Sequence, residues 1–311
     1  MDERIKKKLM SLNIKSLQNI FGKNLYIKEK LSKYSWFNLG GPAEIFFRPK
    51  NKDQLKHFLT EVKKNECKFH ILGAGSNTLI RDSGVDGAVI KLGSKFAEMK
   101  LVEKDVIEVG AAALDKRVSD FAKKNEIGGM EFLSCIPGSI GGAVIMNSGC
   151  YGVDMSQIIS SITIINNLGL EKEITSDEIK FYYRGTNLPK DYIILSAKLK
   201  GKQKSKDLIE KKQNDLMQKK KETQPSQIKT GGSTFKNVNG KKAWMLIKES
   251  GCDKLYIGDA KISEKHCNFF VNKGKAKSSD IEKLIYQVKK EVKIKTGESL
   301  ELEIKIIGNE K

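Results

Sequence analysis

Pro137-Gly138-Ser139-Ile140-Gly141-Gly142-Ala143-Val144-Ile145-Met146-Asn147-Ser148-Gly149-Cys150-Tyr151-Gly152 is built from glycine and small or apolar residues. Glycine, lacking a Cβ, takes positive φ without strain and lets the backbone approach a ligand closely. Successive backbone N–H groups in such a loop form a concavity that holds anions, phosphate above all. The same composition suits a buried, tightly turning structural loop, and the stretch alone is compatible with either. A second cluster, Gly73-Ala74-Gly75-Ser76-Asn77, lies upstream, directly after Phe69–Leu72, which reads as a short buried strand. Gly-x-Gly after a strand invites a dinucleotide-binding reading, but the third glycine of that fingerprint is Thr78 here, and no helical pattern follows. Residues 79–90 read as short strands joined by turns. Two separated glycine-rich turns in a mixed α/β chain point to an extended diphosphate ligand held at both ends.

Working outward, residues 2–21 carry apolar positions at roughly helical spacing, 52–65 read as a helix and 114–124 as an amphipathic helix. Gly128-Gly129 is expected to end the second of these. Residues 158–165, 170–174 and 192–200 alternate like strands of an antiparallel sheet. From Gly201 to Glu222 the chain turns polar and lysine-rich, then breaks at Pro225, which marks the expected domain boundary. A helix follows from Ala243 to Ser250. The last helix is expected to open on a capping box of Ser279 and Glu282, to bury Ile281, Leu284, Ile285, Val288 and Val292, and to stop at Gly297. In the terminal strand, Leu300, Leu302, Ile304 and Ile306 take one face and Glu301, Glu303 and Lys305 the other.

The chain has 311 residues, 39% hydrophobic and 31% charged, with a formal net charge of +19. That charge would suggest a polyanion partner if concentrated. It is spread, however, over lysines, and only Arg4, Arg48, Arg81, Arg117 and Arg184 are arginine. Arginine forks and aromatic platforms are what nucleic-acid readers favour, and neither stands out. No nucleic-acid partner is therefore expected. Cys67, Cys135, Cys150, Cys252 and Cys267 have no Cys-x-x-Cys spacing, so no disulfide framework or metal site is expected. Nor is a membrane partner, and the cytoplasm is the expected compartment.

Hydrolase signatures are missing, and His57, His70 and His266 lie in no recognisable motif and read as structural. Three residues remain as chemical candidates. Arg184 follows Phe181-Tyr182-Tyr183, where its guanidinium could grip a carboxylate bidentately or simply stack. Ser233 sits in a Gly-Gly-Ser turn that could aim its hydroxyl, or have no task. Glu303 could point into a site or lie on a solvated outer face.

Six segments, taken in order, resemble the UDP-N-acetylenolpyruvoylglucosamine reductase family, flavoenzymes of bacterial peptidoglycan synthesis. They are Asn38-Leu39-Gly40-Gly41-Pro42-Ala43, Gly73–Asn77, Ile136-Pro137-Gly138-Ser139-Ile140-Gly141-Gly142-Ala143, Tyr183-Arg184, Gly232-Ser233-Thr234-Phe235-Lys236-Asn237 and Leu302-Glu303-Ile304-Lys305. The resemblance runs from about Tyr34 to Gly308. It implies an α+β protein with a non-covalent FAD-binding fold of the vanillyl-alcohol-oxidase type over residues 1–205, in lobes of about 1–92 and 93–205. A smaller α+β substrate domain, 206–311, would return its final strand to the active site. Gly73, Ala74, Gly75, Ser76, Asn77, Pro137, Gly138, Ser139, Gly141, Gly142 and Ala143 would hold FAD.

The resemblance further implies that NADPH reduces FAD, leaves, and is replaced by an enolpyruvyl UDP-sugar, which takes the hydride. Arg184 and Glu303 would stabilise charge on the substrate carboxylate, and Ser233 would donate a proton as general acid. Lys236, Asn237 and Lys305 would contact the substrate. Compact spacing up to Arg184 matches the shorter family subtype, without the tyrosine-bearing loop of the longer one. Two positions depart from the pattern. Val238 replaces the usual proline, and Lys305 replaces a common arginine, keeping charge but losing the planar fork. Another FAD oxidoreductase of the same fold is the alternative, against which the pairing of Ser233 with Glu303 argues. Oligomeric state is left open, with a monomer allowed.

Overall fold

The computed structural model describes residues 14–310. The expected leading helix is seen as Ile14–Phe21, and the earlier part of that expectation lies outside the described residues. The chain divides into two compact units. One comprises Met1–Lys28, Glu44–Ala74 and Gly87–Gln218, and the other Glu29–Ala43, Gly75–Asp86 and Lys219–Lys311.

The first unit centres on a five-stranded antiparallel sheet in the order Glu171–Thr175, Ile159–Ile165, Ile193–Lys200, Val106–Gly110, Met99–Glu103. Alternation explains it: Ile162 and Ile164 point into a core with Ile107, Val109, Ala197 and Leu199, while Ser161 and Thr163 point away. Onto that core pack the helix Asp115–Lys124 and the short helix Ile140–Ile145, the latter lying inside the glycine-rich stretch. A second core gathers around Phe47 and Phe58, whose rings stack with centroids 4.0 Å apart. Phe58 comes from the helix Lys52–Lys64, which Asn51 caps by accepting the Gln54 N–H at 3.0 Å.

The strand before the first glycine cluster, Phe69–Ile71, runs parallel to Val85–Ile90 with Phe69 opposite Ala88 and Ile71 opposite Ile90. Its residues are half-buried or exposed, not buried as the apolar run suggested, and only the following Leu72 is enclosed. Helix Asp115–Lys124 also ends differently from expectation. Asn125 closes it and Glu126 takes the left-handed conformation at φ 56°, so the turn is complete before Gly128-Gly129.

In the second unit, an antiparallel sheet is ordered Lys229–Ser233, Phe269–Asn272, Ala260–Ile262, Tyr256–Ile257. The helix Ser278–Thr296 covers it with Ile281, Leu284, Ile285, Val288 and Val292, as its periodicity predicts, and stops at Gly297 with φ 74°. Its start corrects the expected Ser279–Glu282 capping box. Asp82 accepts the N–H groups of Ser278 at 2.9 Å and Ser279 at 3.0 Å, while Glu282 binds the Arg81 guanidinium. A carboxylate at a helix N-terminus also meets the positive end of the helix dipole, which favours this solution. The terminal strand Lys305–Ile307 pairs in parallel with Thr78–Ile80, and Leu300 and Ile304 are buried as the alternation predicts, whereas Leu302 is only half-buried.

Among the described residues no group of three His, Cys, Asp or Glu is arranged to hold a metal, and no helix is long and apolar enough to cross a membrane. All five cysteines are free thiols.

Candidate active site

Within the first unit, Gly73 at the head of the first cluster meets the second cluster. A Cβ on Gly73 would lie 2.8 Å from the Ser139 Oγ, too close to be tolerated without a shift. Ser139 is 4% exposed, and its hydroxyl has no hydrogen-bond partner. A buried hydroxyl without a partner costs free energy comparable to a lost hydrogen bond, and an external group bonded to this one would relieve that cost. Gly73 and Gly142 present exposed backbone on either side of it. Pro137, Gly138, Ser139, Gly142 and Gly73 thus form an open cradle of backbone around one unsatisfied hydroxyl.

Other glycines of the stretch serve packing. Gly141 donates its N–H to the Ala111 carbonyl at 2.9 Å, and a Cβ there would press on Ala111 at 3.1 Å. Ala143 is buried in the main core beside Val144. Beneath Gly138 lies Asp115, 0% exposed, with neither carboxyl oxygen bonded. A Cβ on Gly138 would sit 2.4 Å from its Oδ2. Burial pushes the Asp115 carboxyl well above the usual carboxylate range.

Arg184 joins the far end of the same stretch. Phe181-Tyr182 and Gly185-Thr186 form a small hairpin whose tip is Tyr183-Arg184. Arg184 takes φ 61°, a conformation uncommon for a non-glycine residue and worth attention where it occurs near a candidate site. Its guanidinium donates to the Gly149 carbonyl at 3.2 Å and lies 5.1 Å from the Tyr183 ring centroid. Asn147, buried and missed by the sequence reading, ties the hairpin down by donating to the Tyr182 carbonyl at 3.2 Å. Its Oδ1 accepts the Ser156 N–H at 3.0 Å. A groove of about 1030 Å³ in this unit, lined by residues that include Arg48, Lys50, Gly93, Phe96 and Gly110, contains none of the predicted site residues.

The second unit brings the remaining candidates together. Gly75 is buried against Tyr34, whose carbonyl a Cβ would meet at 1.9 Å, and with φ 73° it turns the chain so that Asn77 faces the C-terminal segment. Asn77 donates through Nδ2 to the Glu303 carbonyl at 3.1 Å and accepts the Lys305 N–H at 2.9 Å. On the other side, the Glu303 N–H donates to the Thr234 carbonyl at 2.8 Å and the Lys236 N–H to the Glu301 carbonyl at 2.9 Å. Glu303 is therefore fixed between Asn77 and the segment that carries Ser233.

Ser233 owes its position to a bulge. Pairing with Phe269–Asn272 slips between Thr230 and Ser233, and Gly231-Gly232 absorb the extra length, Gly232 with φ 78°. Gly231 packs on the buried Phe37, whose Cε2 would lie 2.4 Å from any Cβ. Asn268, another residue the sequence reading passed over, clamps Phe235 by accepting its N–H at 2.9 Å and donating to its carbonyl at 2.7 Å. Lys236 forms an ion pair with Glu301 at 3.5 Å, Asn237 accepts the Ala243 N–H at 3.0 Å at the start of a helix, and Lys305 is exposed. Of the three histidines, His266 stacks edge-on against Phe269 and burial lowers its pKa, consistent with a structural role.

Comparison with known proteins places both regions. Residues 224–307 match the profile described as UDP-N-acetylenolpyruvoylglucosamine reductase, C-terminal domain, and residues 43–174 match an FAD binding domain. A protein named UDP-N-acetylenolpyruvoylglucosamine reductase from Pelagibacter ubique is 47% identical, over 94% of this chain and 98% of its own. One of the same name from Gluconobacter oxydans is 43% identical, over 89% of this chain and 90% of its own. The crystal structure of UDP-N-acetylenolpyruvylglucosamine reductase from Thermus caldophilus superposes with a TM-score of 0.79 at 31% identity, covering 91% of this chain and 98% of that one.

Proposed function

The chain belongs to the UDP-N-acetylenolpyruvoylglucosamine reductase family, and from that premise we propose how its own residues carry the reaction. It is an FAD-containing oxidoreductase that reduces the enolpyruvyl group of UDP-N-acetylglucosamine enolpyruvate, with NADPH as reductant, to give UDP-N-acetylmuramate for peptidoglycan. FAD, when bound, would supply the hydride chemistry that links NADPH to the enolpyruvyl group. In our reading residues 1–205 serve the cofactor and 206–311 the sugar nucleotide.

The residues fit FAD. The open backbone of Gly73 and Gly142 around the unsatisfied Ser139 hydroxyl suits a diphosphate. Gly73–Asn77, Pro137–Ser139, Gly141, Gly142 and Ala143 are the proposed cofactor segments. Some act directly and others, such as Gly75 and Gly141, by shaping the turns.

Adding hydride to the enolpyruvyl double bond develops enolate charge on the substrate carboxylate. Arg184 is assigned to that carboxylate as a charge-assisted donor, and Glu303 as the acidic group that shares the load. Ser233 is assigned as the general acid that delivers the proton to the adjacent carbon. A serine hydroxyl is a weak acid in water, so this role depends on a donor held without freedom to reorient. The single observation that best supports the assignment is the Glu303 N–H bonded to Thr234, which sets the acidic residue beside the serine's own segment. Lys236, Asn237 and Lys305 are assigned to substrate binding.

The test is anaerobic. Protein reduced by NADPH and mixed with UDP-N-acetylglucosamine enolpyruvate should regain the oxidised flavin spectrum. Flavin that stays reduced would overturn the assignment of this substrate.

A further inference from the structure

A diphosphate carries two negative charges, and the two glycine clusters contribute no cation to meet them. In the first unit the Lys91 ammonium lies against the cradle, donating to the Gly73 carbonyl. Gly73 is the residue whose Cβ position abuts the unsatisfied Ser139 hydroxyl. A second cation lies at the end of the neighbouring strand: the Lys91 N–H donates to the carbonyl of Phe47, the residue before Arg48, at 2.9 Å. Burial first, and then the Arg48 charge, lower the Lys91 pKa. Neither Lys91 nor Arg48 forms an ion pair among the described residues. The carboxylates lining the groove beside Arg48 are already engaged, Glu98 with Lys95 at 3.4 Å and Glu108 with Lys100 at 3.1 Å.

Lys91 is half-buried and Arg48 exposed, two like charges with no paired carboxylate among the described residues. An anion at the Gly73–Ser139 cradle would meet the Lys91 charge. Most lysines among the described residues are exposed. Lys91 instead lies at the end of the strand Val85–Ile90 and turns back onto Gly73.

We propose that Lys91, supported by Arg48, is the cationic partner of the FAD diphosphate at the Gly73–Ser139 cradle, a binding residue outside both glycine clusters. The proposal rests on the reading of this protein as an FAD enzyme and adds to it which side chain meets the phosphate charge. Lys91 also has a structural alternative, in which its only task is to anchor the Gly73 carbonyl. Glutamine separates the two, because it can still donate to that carbonyl but carries no charge.

The experiment titrates full-length protein, stripped of flavin, with FAD and separately with riboflavin, which has no phosphate. Binding is followed by quenching of flavin fluorescence at several salt concentrations. Lys91→Gln should weaken FAD about 10- to 100-fold, the loss associated with a charged hydrogen bond, and flatten the salt dependence. Riboflavin affinity should stay within about twofold of the unmodified protein, and Lys91→Arg should bind FAD nearly normally. Arg48→Gln should show the same pattern, more weakly. Unchanged FAD affinity and salt dependence in Lys91→Gln would overturn the proposal and leave the FAD reading standing. An equal loss for FAD and riboflavin would also overturn it, by showing damage to the fold. Failure of the unmodified protein to bind FAD would overturn both.

Discussion

The Glu303 N–H donates to the Thr234 carbonyl at 2.8 Å, locking the proposed acidic residue to the residue that follows the proposed proton donor, Ser233. Thr234 is itself 0% exposed, so this junction is buried and has little room to drift. Segments held this way define where a side chain can point, which a general acid as weak as serine requires.

Replacing Ser233 with alanine should leave flavin reduction by NADPH nearly intact and slow reoxidation by the enolpyruvyl substrate about 10²- to 10⁴-fold, the span typical of a lost general acid. Anaerobic stopped-flow measurement of the two half-reactions checks this. Equal loss in both would make Ser233 a structural residue.

Glu303→Gln keeps the shape of the side chain and the backbone bonds to Thr234 and Asn77, which involve main-chain atoms of Glu303. The substrate half-reaction should slow about 10²-fold or more, as when one stabilising group is removed from a developing anion, with the NADPH half-reaction spared. A normal rate of substrate reduction would remove Glu303 from the chemistry.

Asp82→Ala should lower unfolding free energy by about 1–2 kcal/mol at pH 7, the usual cost of a lost helix N-cap. Burial pushes the Asp82 carboxyl up, but the hydrogen bonds from Ser279 and Ser278 outweigh it and hold the pKa below the usual range. A depressed folded-state pKa gives stability that is complete above the unfolded value, about 3.9, and is lost as pH falls through the folded value. Urea unfolding between pH 7 and pH 3 should therefore show part of the acid-induced loss vanish in Asp82→Asn. An identical slope in both proteins would show that the cap does not couple to pH.

Gly231→Ala places a methyl group 2.4 Å from Cε2 of the fully buried Phe37. Overpacking of this kind costs about 1–3 kcal/mol, and the bulge that positions Ser233 must move to relieve it. Both effects can be read from one protein. Its denaturation midpoint should fall, and its substrate half-reaction should slow more than its NADPH half-reaction. Gly232→Ala, with open space at its Cβ but φ 78°, should be strained by its backbone alone.

The sequence announced the parts of this protein whose signal is local. Helix Ser278–Thr296 shows its buried face in its spacing, and the strands of the large sheet show theirs by alternation. The stretch that carries Ser139 drew notice because glycines surround it. What stayed hidden depends on partners far along the chain. Ser279 and Glu282 satisfied a capping pattern, yet Asp82, 197 residues from Ser279, reached its N–H and Arg81 took the glutamate. Lys91 was lost among the other lysines because its distinction is a contact with Gly73, not a motif. Asn268 and Asn147 are single polar residues whose importance comes from burial and from the backbone groups they satisfy. Where the Asp115–Lys124 helix stops, competition was local but close: Asn125-Glu126 ended it before the more conspicuous glycines could.

The parallel pair formed by Thr78–Ile80 and Lys305–Ile307 has a consequence for synthesis. Asn77 and Glu303, which bond beside it, are 226 residues apart. At a translation rate of about 5–20 residues per second, the first strand waits roughly ten to forty-five seconds for its mate. The strands of the five-stranded sheet lie within residues 99–200, and that sheet can form during the wait. Throughout it, Thr78–Ile80 has an open edge, the kind of edge that invites mispairing. Slow closure of so distant a contact should make completion of the second unit the late step in refolding, and the proposed acidic residue Glu303 part of that step.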